Sequence, residues 1–190
     1  MANEPDKILL ILDLDETLIY ASKAGTEAEP DAKVFGYKVY KRPYLDEFLV
    51  SVSRHFKLAV WSTASEDYIQ QIISELFPKN ISYEFVWGSG KATLRLTKTQ
   101  NHKTDNSTTD NQYVKRLKKV KQLGFTLEKM LIVDDSPDKL IDNYGNAIYI
   151  KEFKGDLTDN ELLHLEKYLL SLRDLDNVRT IEKRNWRENL

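Results

Sequence analysis

Three short apolar runs, each cut off by a polar or acidic cluster, constrain this chain more than any other feature. Residues 8–12 (ILLIL) stop at Asp13-Leu14-Asp15-Glu16-Thr17. Residues 57–61 (KLAVW) stop at Ser62-Thr63-Ala64-Ser65, and residues 130–133 (MLIV) stop at Asp134-Asp135-Ser136-Pro137. A run of four or five residues without alternation is what a strand buried on both faces needs, and such strands belong in the middle of a parallel sheet. Residues 147–150 (AIYI) supply a fourth strand.

Segments with helical spacing separate these runs. Leu45, Phe48, Leu49 and Val52 recur at three and four residues within 44–55, behind Pro43 as a start signal. Ser65 caps a second helix, with Glu66 and Asp67 in its first turn and Tyr68, Ile69, Ile72, Ile73 and Leu76 on its apolar side. Residues 113–123 predict a third helix closed by Gly124, and Ser136-Pro137-Asp138 opens a fourth. Thr158-Asp159-Asn160-Glu161 is a capping box for a fifth. Strands alternating with helices give an α/β layered fold with a mostly parallel sheet. Residues 21–33 read as a polar surface loop and residues 100–112 as a mobile loop tip. Residues 91–98 alternate as a hairpin arm would, so residues 83–112 form a small β insertion within one domain spanning 1–190. The charged stretch 177–190, with its single Trp186, packs on the body or offers an association surface.

Composition narrows the chemistry. With no cysteine among 190 residues there is no disulfide, thiolate metal site or cysteine nucleophile. A net charge of −2 selects no class of partner, and no apolar run approaches a membrane span. The expectation is a free-standing cytoplasmic protein with no membrane partner. His55, His102 and His164 show no ligand spacing.

In an open α/β sheet, ligands bind beyond the carboxyl ends of the strands. Four carboxylates gathered there, Asp13, Asp15, Asp134 and Asp135, repel one another unless a hard cation sits among them. A few oxygen ligands from protein suit Mg²⁺, which retains waters and favours a substrate phosphate. The hydroxyls and helix start at Thr63 to Ser65 suit a phosphate. Acids for a cation beside amides for an anion imply phosphoryl transfer.

The order DLDET, a strand ending in Thr63, a lysine and then DDSP resembles the haloacid dehalogenase superfamily. More narrowly, DLDETLIY, KRPYLDEFL, WSTAS, YVKRL and LIVDDSPDKL resemble the small C-terminal-domain phosphatases of eukaryotes and their bacterial relatives, the NLI-interacting-factor-like phosphatases. The resemblance runs over nearly the whole chain. It implies a three-layer Rossmann-like sheet without a large cap domain, and Mg²⁺-dependent hydrolysis of phosphomonoesters, with phosphoserine or phosphothreonine on a phosphoprotein or phosphopeptide as substrate. It implies Asp13 as nucleophile, forming an aspartyl-phosphate, and Asp15 as general acid and then base. Thr63 and Lys115 complete the catalytic set, with Leu14, Thr63 and Ala64 binding phosphate. The implied metal ligands are Asp13, the backbone carbonyl of Asp15 and Asp135, with Asp134 as supporting carboxylate. Arg95 matches an arginine that faces substrate from the insertion. The lack of a second module suggests a bacterial member.

The family's partner is the heptad tail of RNA polymerase II, bound in an aromatic-lined pocket on the insertion, which the sequence NHKTDNSTTDNQ does not reproduce. Two other readings compete. One is the same chemistry on a nucleic-acid terminal phosphate or small phosphomonoester, invited by the basic stretch 115–121. The other is a catalytically silent binding protein of the same fold, against which stand Asp13, Asp15, Lys115 and Asp135.

Overall fold

The computed structural model describes residues 7–99 and 108–190. In chain order the strands are β1 (Leu9–Leu12), β2 (Ile19–Ser22), β3 (Ala32–Val34), β4 (Tyr37–Lys41), β5 (Lys57–Trp61), β6 (Tyr83–Trp87), β7 (Thr93–Thr99), β8 (Thr108–Val114), β9 (Met130–Asp134) and β10 (Ala147–Tyr149). The α-helices are α1 (Leu45–His55), α2 (Glu66–Leu76) and α3 (Glu161–Leu172). Five strands make a parallel sheet in the order β10-β9-β1-β5-β6.

The unbroken apolar runs have a direct cause. Leu10, Leu12, Leu58, Val60, Leu131, Val133 and Ile148 pack to one side, against apolar residues of α1, α2 and α3 such as Phe48, Ile72 and Leu165. Leu9, Ile11, Ala59, Trp61, Met130, Ile132 and Ala147 pack to the other, against Leu117, Val120 and Leu140. Both faces are covered, so no strand position is left for a polar residue until the strand ends. The three-layer α/β expectation holds, with one face covered by α-helices and the other by shorter turns.

Those turns correct two expected helices. Tyr113 belongs to β8, and Leu117–Leu123 is a 3₁₀ segment in which Leu117 and Val120, three apart, face the sheet. Pro137–Leu140 is a single 3₁₀ turn. The loop read at 21–33 covers residues 23–31, while its two ends belong to β2 and β3, which pair on either side of β4 in an antiparallel sheet. Tyr83–Trp87, counted with the insertion, is the edge strand of the main sheet, beside β5. The hairpin arm at 91–98 is β7, but its partner β8 begins at Thr108, inside the stretch read as a loop tip. Residues 100–107, His102 included, lie outside the described residues. Helix α3 starts later than its capping box: the Asp159 side chain accepts from the Glu161 amide at 2.9 Å. At the far end Trp186 is fully buried, its ring 5.4 Å from that of Tyr168 and tilted by 31°, and it donates to the Tyr149 carbonyl at 2.8 Å. Among the described residues no helix is long and apolar enough to cross a membrane.

Candidate active site

Parallel pairing brings the strand ends level. Leu12 lies opposite Val60 on one side and Val133 on the other, and the Asp13 amide still donates to the Val133 carbonyl at 3.0 Å. Beyond Asp13 the chain turns tightly: the amides of Leu18 and Ile19 both reach the Leu14 carbonyl, and Glu16 takes a left-handed conformation at φ 60°. That turn returns Thr17 beneath the acids. The buried Arg42 locks it, donating to the Thr17 carbonyl at 2.9 Å and to the Lys151 carbonyl at 2.9 Å while pairing through two nitrogens with Asp159. A planar fork is needed to meet all three at once.

The cluster itself is closely partnered. Lys115 is fully buried, and its Nζ donates to Asp13 Oδ1 and to Asp134 Oδ2, each at 2.6 Å. It follows β8 rather than sitting on a helix, and its amide is held by the Lys139 carbonyl at 2.8 Å. Asp134 Oδ1 accepts the Ser136 amide at 2.9 Å. The Thr17 hydroxyl proton is shared between Asp13 Oδ2 at 3.3 Å and Asp135 Oδ1 at 3.2 Å, while its oxygen accepts the Asp135 amide. Lys139 Nζ lies 3.1 Å from Asp13 Oδ2 and 3.4 Å from Asp135 Oδ1.

Two neighbouring carboxyls are driven in opposite directions. Burial pushes Asp13 up, but the ammonium groups of Lys115 and Lys139 outweigh it and hold the group below its ordinary value. Burial raises Asp15, and the hydrogen bonds from Tyr68 and Ser62 do not cancel it. Asp134 is raised by burial and by the charge of Asp13. Burial, then Asp15 and Asp135, push Glu16 up to about 7.

Asp15 stands apart from the lysines. Tyr68 donates to its Oδ1 at 2.8 Å and Ser62 to its Oδ2 at 3.2 Å, while Ser62 Oγ accepts the Ala64 amide at 3.0 Å. Ser65 caps α2 as expected, accepting from the Tyr68 amide, which fixes that helix start beside Asp15. Gly88 supports the same loop: a Cβ there would meet the Ala64 carbonyl at 2.8 Å. Next to Asp15 lies a cleft of about 410 Å³ lined by Glu16, Ala21, Phe35, Tyr37, Ala64 and Tyr68. Phe35 and Gly36 form the two-residue turn between β3 and β4, both at positive φ, and Phe35 is 62 % exposed at the cleft edge.

The structure thus gathers Asp13, Lys115, Asp134 and Asp135 into one network, with Asp15 and Ala64 joined beside it through Ser62. Thr63 is half-buried in the same loop. Arg95 is exposed on β7, with no hydrogen bond or ion pair to the acids among the described residues. Sequence reasoning missed Lys139, Ser62, Tyr68 and Arg42, and gave Thr17 no role in the site. The spacing of Lys139, four residues after Asp135 within DDSPDK, was the available signal. The aromatic cleft is built by the β3–β4 turn, not by the insertion.

Asp13, Asp134 and Asp135 each offer an oxygen, all within 4.8 Å of one another. The donor set is all oxygen and supplies few ligands, which fits Mg²⁺. Asp13 and Asp134 are each engaged on both oxygens, Asp13 by Lys115, Thr17 and Lys139 and Asp134 by Lys115 and the Ser136 amide, while the contacts of Asp135 fall on Oδ1.

The family model described as NLI interacting factor-like phosphatase matches residues 8–179. CTD small phosphatase-like protein 2 of Dictyostelium discoideum is 32% identical over 181 residues, covering 91% of this chain and 29% of that protein. The human carboxy-terminal domain RNA polymerase II polypeptide A small phosphatase 1 is 29% identical over 187 residues, covering 95% and 65%. The chain therefore spans less than two thirds of the length of these relatives. Both are eukaryotic, and they give no support to a bacterial source. A solved structure of Fcp1, an essential RNA polymerase II CTD phosphatase, aligns with a TM-score of 0.55 over 82% of this chain and 44% of its own at 16% identity. A haloacid dehalogenase-like hydrolase from Bacteroides fragilis aligns at 0.52 with 11% identity, over 82% and 92%. These two likenesses establish the fold.

Proposed function

The chain belongs to the NLI interacting factor-like phosphatase family, and from that premise we propose that it is a Mg²⁺-dependent phosphatase acting on phosphoserine or phosphothreonine in a protein segment. The observation that carries the reading is the opposed pair of carboxyls two residues apart. Asp13 is held ionised by two lysines, and Asp15 is held toward its protonated form by burial. That division suits a nucleophile and a general acid.

An Asp13 oxygen attacks phosphorus, the bond from phosphorus to the ester oxygen breaks, and Asp15 gives its proton to the departing alkoxide. Asp15 then takes a proton from water, whose oxygen attacks phosphorus. The bond to Asp13 breaks, releasing inorganic phosphate and restoring the carboxylate. Lys115 keeps Asp13 charged and oriented throughout and offsets the negative charge that gathers at the phosphoryl group. The Ser62 and Tyr68 hydroxyls hold Asp15 in place through both proton transfers. Asp13, Asp135 and the carbonyl of Asp15 would hold Mg²⁺, with Asp134 anchoring Lys115. When bound, the ion supplies positive charge against the phosphoryl oxygens. Thr63 and the amides of Leu14 and Ala64 are the phosphate-binding groups in this reading. The open cleft beside Asp15, with Phe35, Tyr37 and Tyr68, suits apolar side chains flanking a phosphorylated residue.

The test is hydrolysis of an aryl phosphate and of phosphopeptides by the purified protein, with Mg²⁺ and with chelator, beside Asp13→Asn. We expect metal-dependent turnover that falls at least about 10⁴-fold in the variant. Retained turnover in Asp13→Asn removes the nucleophile assignment. Faster turnover of phosphorylated nucleic-acid ends than of any phosphopeptide removes the substrate assignment alone.

A further inference from the structure

Two lysines contact Asp13, and they are placed differently. Lys115 is fully enclosed between Asp13 and Asp134 and has no route out. The Lys139 side chain is 21 % exposed, and its Nζ lies 3.1 Å from Asp13, 3.5 Å from Asp134 and 3.4 Å from Asp135. These are the same three acids whose oxygens converge within 4.8 Å. Lys139 approaches the oxygens that Lys115 leaves free: Asp13 Oδ2 and Asp135 Oδ1. Its backbone is fixed, with the amide bonded to the Ser136 carbonyl and the carbonyl bonded to the Lys115 amide. The ammonium can therefore swing outward but never diffuse away.

We propose that Lys139 is a tethered competitor for the metal: its ammonium holds Asp13 and Asp135 in the metal-free enzyme, must swing off them before a divalent ion binds, and so sets the metal affinity of the site. This inference rests on the Mg²⁺ reading above.

The charge count supports it. Three carboxylates face two ammonium groups, so without Lys139 a single lysine would offset three buried or part-buried acids. With an ion of charge two and Lys115 the three acids are balanced, so Lys139 becomes the surplus charge and is repelled toward the solvent it already touches. An intramolecular cation competes at a fixed, high effective concentration, so bulk dilution does not weaken it. The enzyme is thereby spared an uncompensated acid cluster when metal is scarce.

The measurement is Mg²⁺ and Mn²⁺ binding by titration calorimetry on the full chain, with the metal alone as probe. Lys139→Gln and Lys139→Met should bind about tenfold tighter or more than the parent, and Lys139→Arg should stay weak. Added Mg²⁺ should raise the melting temperature of the Gln and Met variants more than that of the parent, which reads the same linkage even if the metal-free variants are less stable. Equal or weaker metal binding in the folded Gln and Met variants overturns the proposal and leaves the Mg²⁺ assignment standing. A raised KM for aryl phosphate with unchanged metal affinity overturns it too, making Lys139 a phosphate clamp. No metal binding in parent or variants overturns both this inference and the Mg²⁺ assignment.

Discussion

The acid cluster at the ends of β1 and β9 and the aromatic cleft beside Asp15 are neighbours built on opposite terms. In the cluster Asp13, Lys115 and Asp134 are buried and bonded to one another, and the two aspartates stand at the ends of β1 and β9, whose every residue is covered. In the cleft Phe35 and Tyr37 are exposed and stand on a two-residue turn between short strands. Phe35 sits at φ 48°, a conformation an aromatic residue adopts only when its surroundings hold it there. Geometry that must be held within fractions of an ångström is placed on the core, and surface that meets a variable partner is placed on a turn.

The largest effect that tests this contrast is stability in the cluster. Lys115→Met removes the enclosed cation between Asp13 and Asp134 and leaves the two acids facing each other, so unfolding free energy should drop by about 3–5 kcal/mol. Chemical denaturation reads it, and a loss under about 1 kcal/mol would mean the cluster is not held by that ion pair. A smaller effect is expected in the cleft. Phe35→Ala with Tyr37→Ala should raise KM for a phosphopeptide about five- to tenfold, with a lesser loss on an aryl phosphate and little change in melting temperature. An equal loss on both substrates would place these rings with the chemistry and dissolve the contrast.

The smallest effect sits on the border between the two regions. Glu16 titrates at about 7 in the folded protein against 4.5 in the unfolded chain, because burial and then Asp15 and Asp135 disfavour its charge. The folded state is therefore penalised fully above about pH 7, and the penalty fades as pH falls toward 4.5. After discounting for its partial exposure, Glu16→Gln should stabilise the metal-free protein by about 1 kcal/mol at pH 8 and by almost nothing at pH 4.5. A pH-independent gain would assign the effect to backbone strain at that residue instead.

Legibility in the sequence follows the same division. The sheet could be read because each apolar run is a full strand ending where burial ends, and Asp13, Asp134 and Asp135 were visible as the residues that stop it. Residues 113–123 misled because Leu117, Val120 and Leu123 sit three apart, a spacing shared by one face of an α-helix and by a 3₁₀ run. The β3–β4 hairpin stayed hidden because its turn is Phe35-Gly36 rather than Asn-Gly, so only one of its two positive-φ residues announces itself. Ser62 and Tyr68 reach Asp15 from elements far off in sequence, which no local pattern encodes, whereas Lys139 left only its spacing from Asp135 as a signal. Arg42 was hidden for a further reason: a buried arginine is defined by the carbonyls around it, which belong to residues 17 and 151.

The central position of β1 also has a consequence for how the chain comes to exist. Leu12 pairs with Val60 on one side but with Val133 on the other. During synthesis the strand bearing Asp13 therefore emerges about 120 residues ahead of its second neighbour, a wait of some 6–24 s at ordinary elongation rates. Until then an all-apolar strand carries one open edge, the kind of exposure that recruits chaperones or a second copy of the chain. Refolding of the full chain should accordingly be slow for its size and sensitive to protein concentration, with the acid cluster assembled only in the last step, when β9 docks.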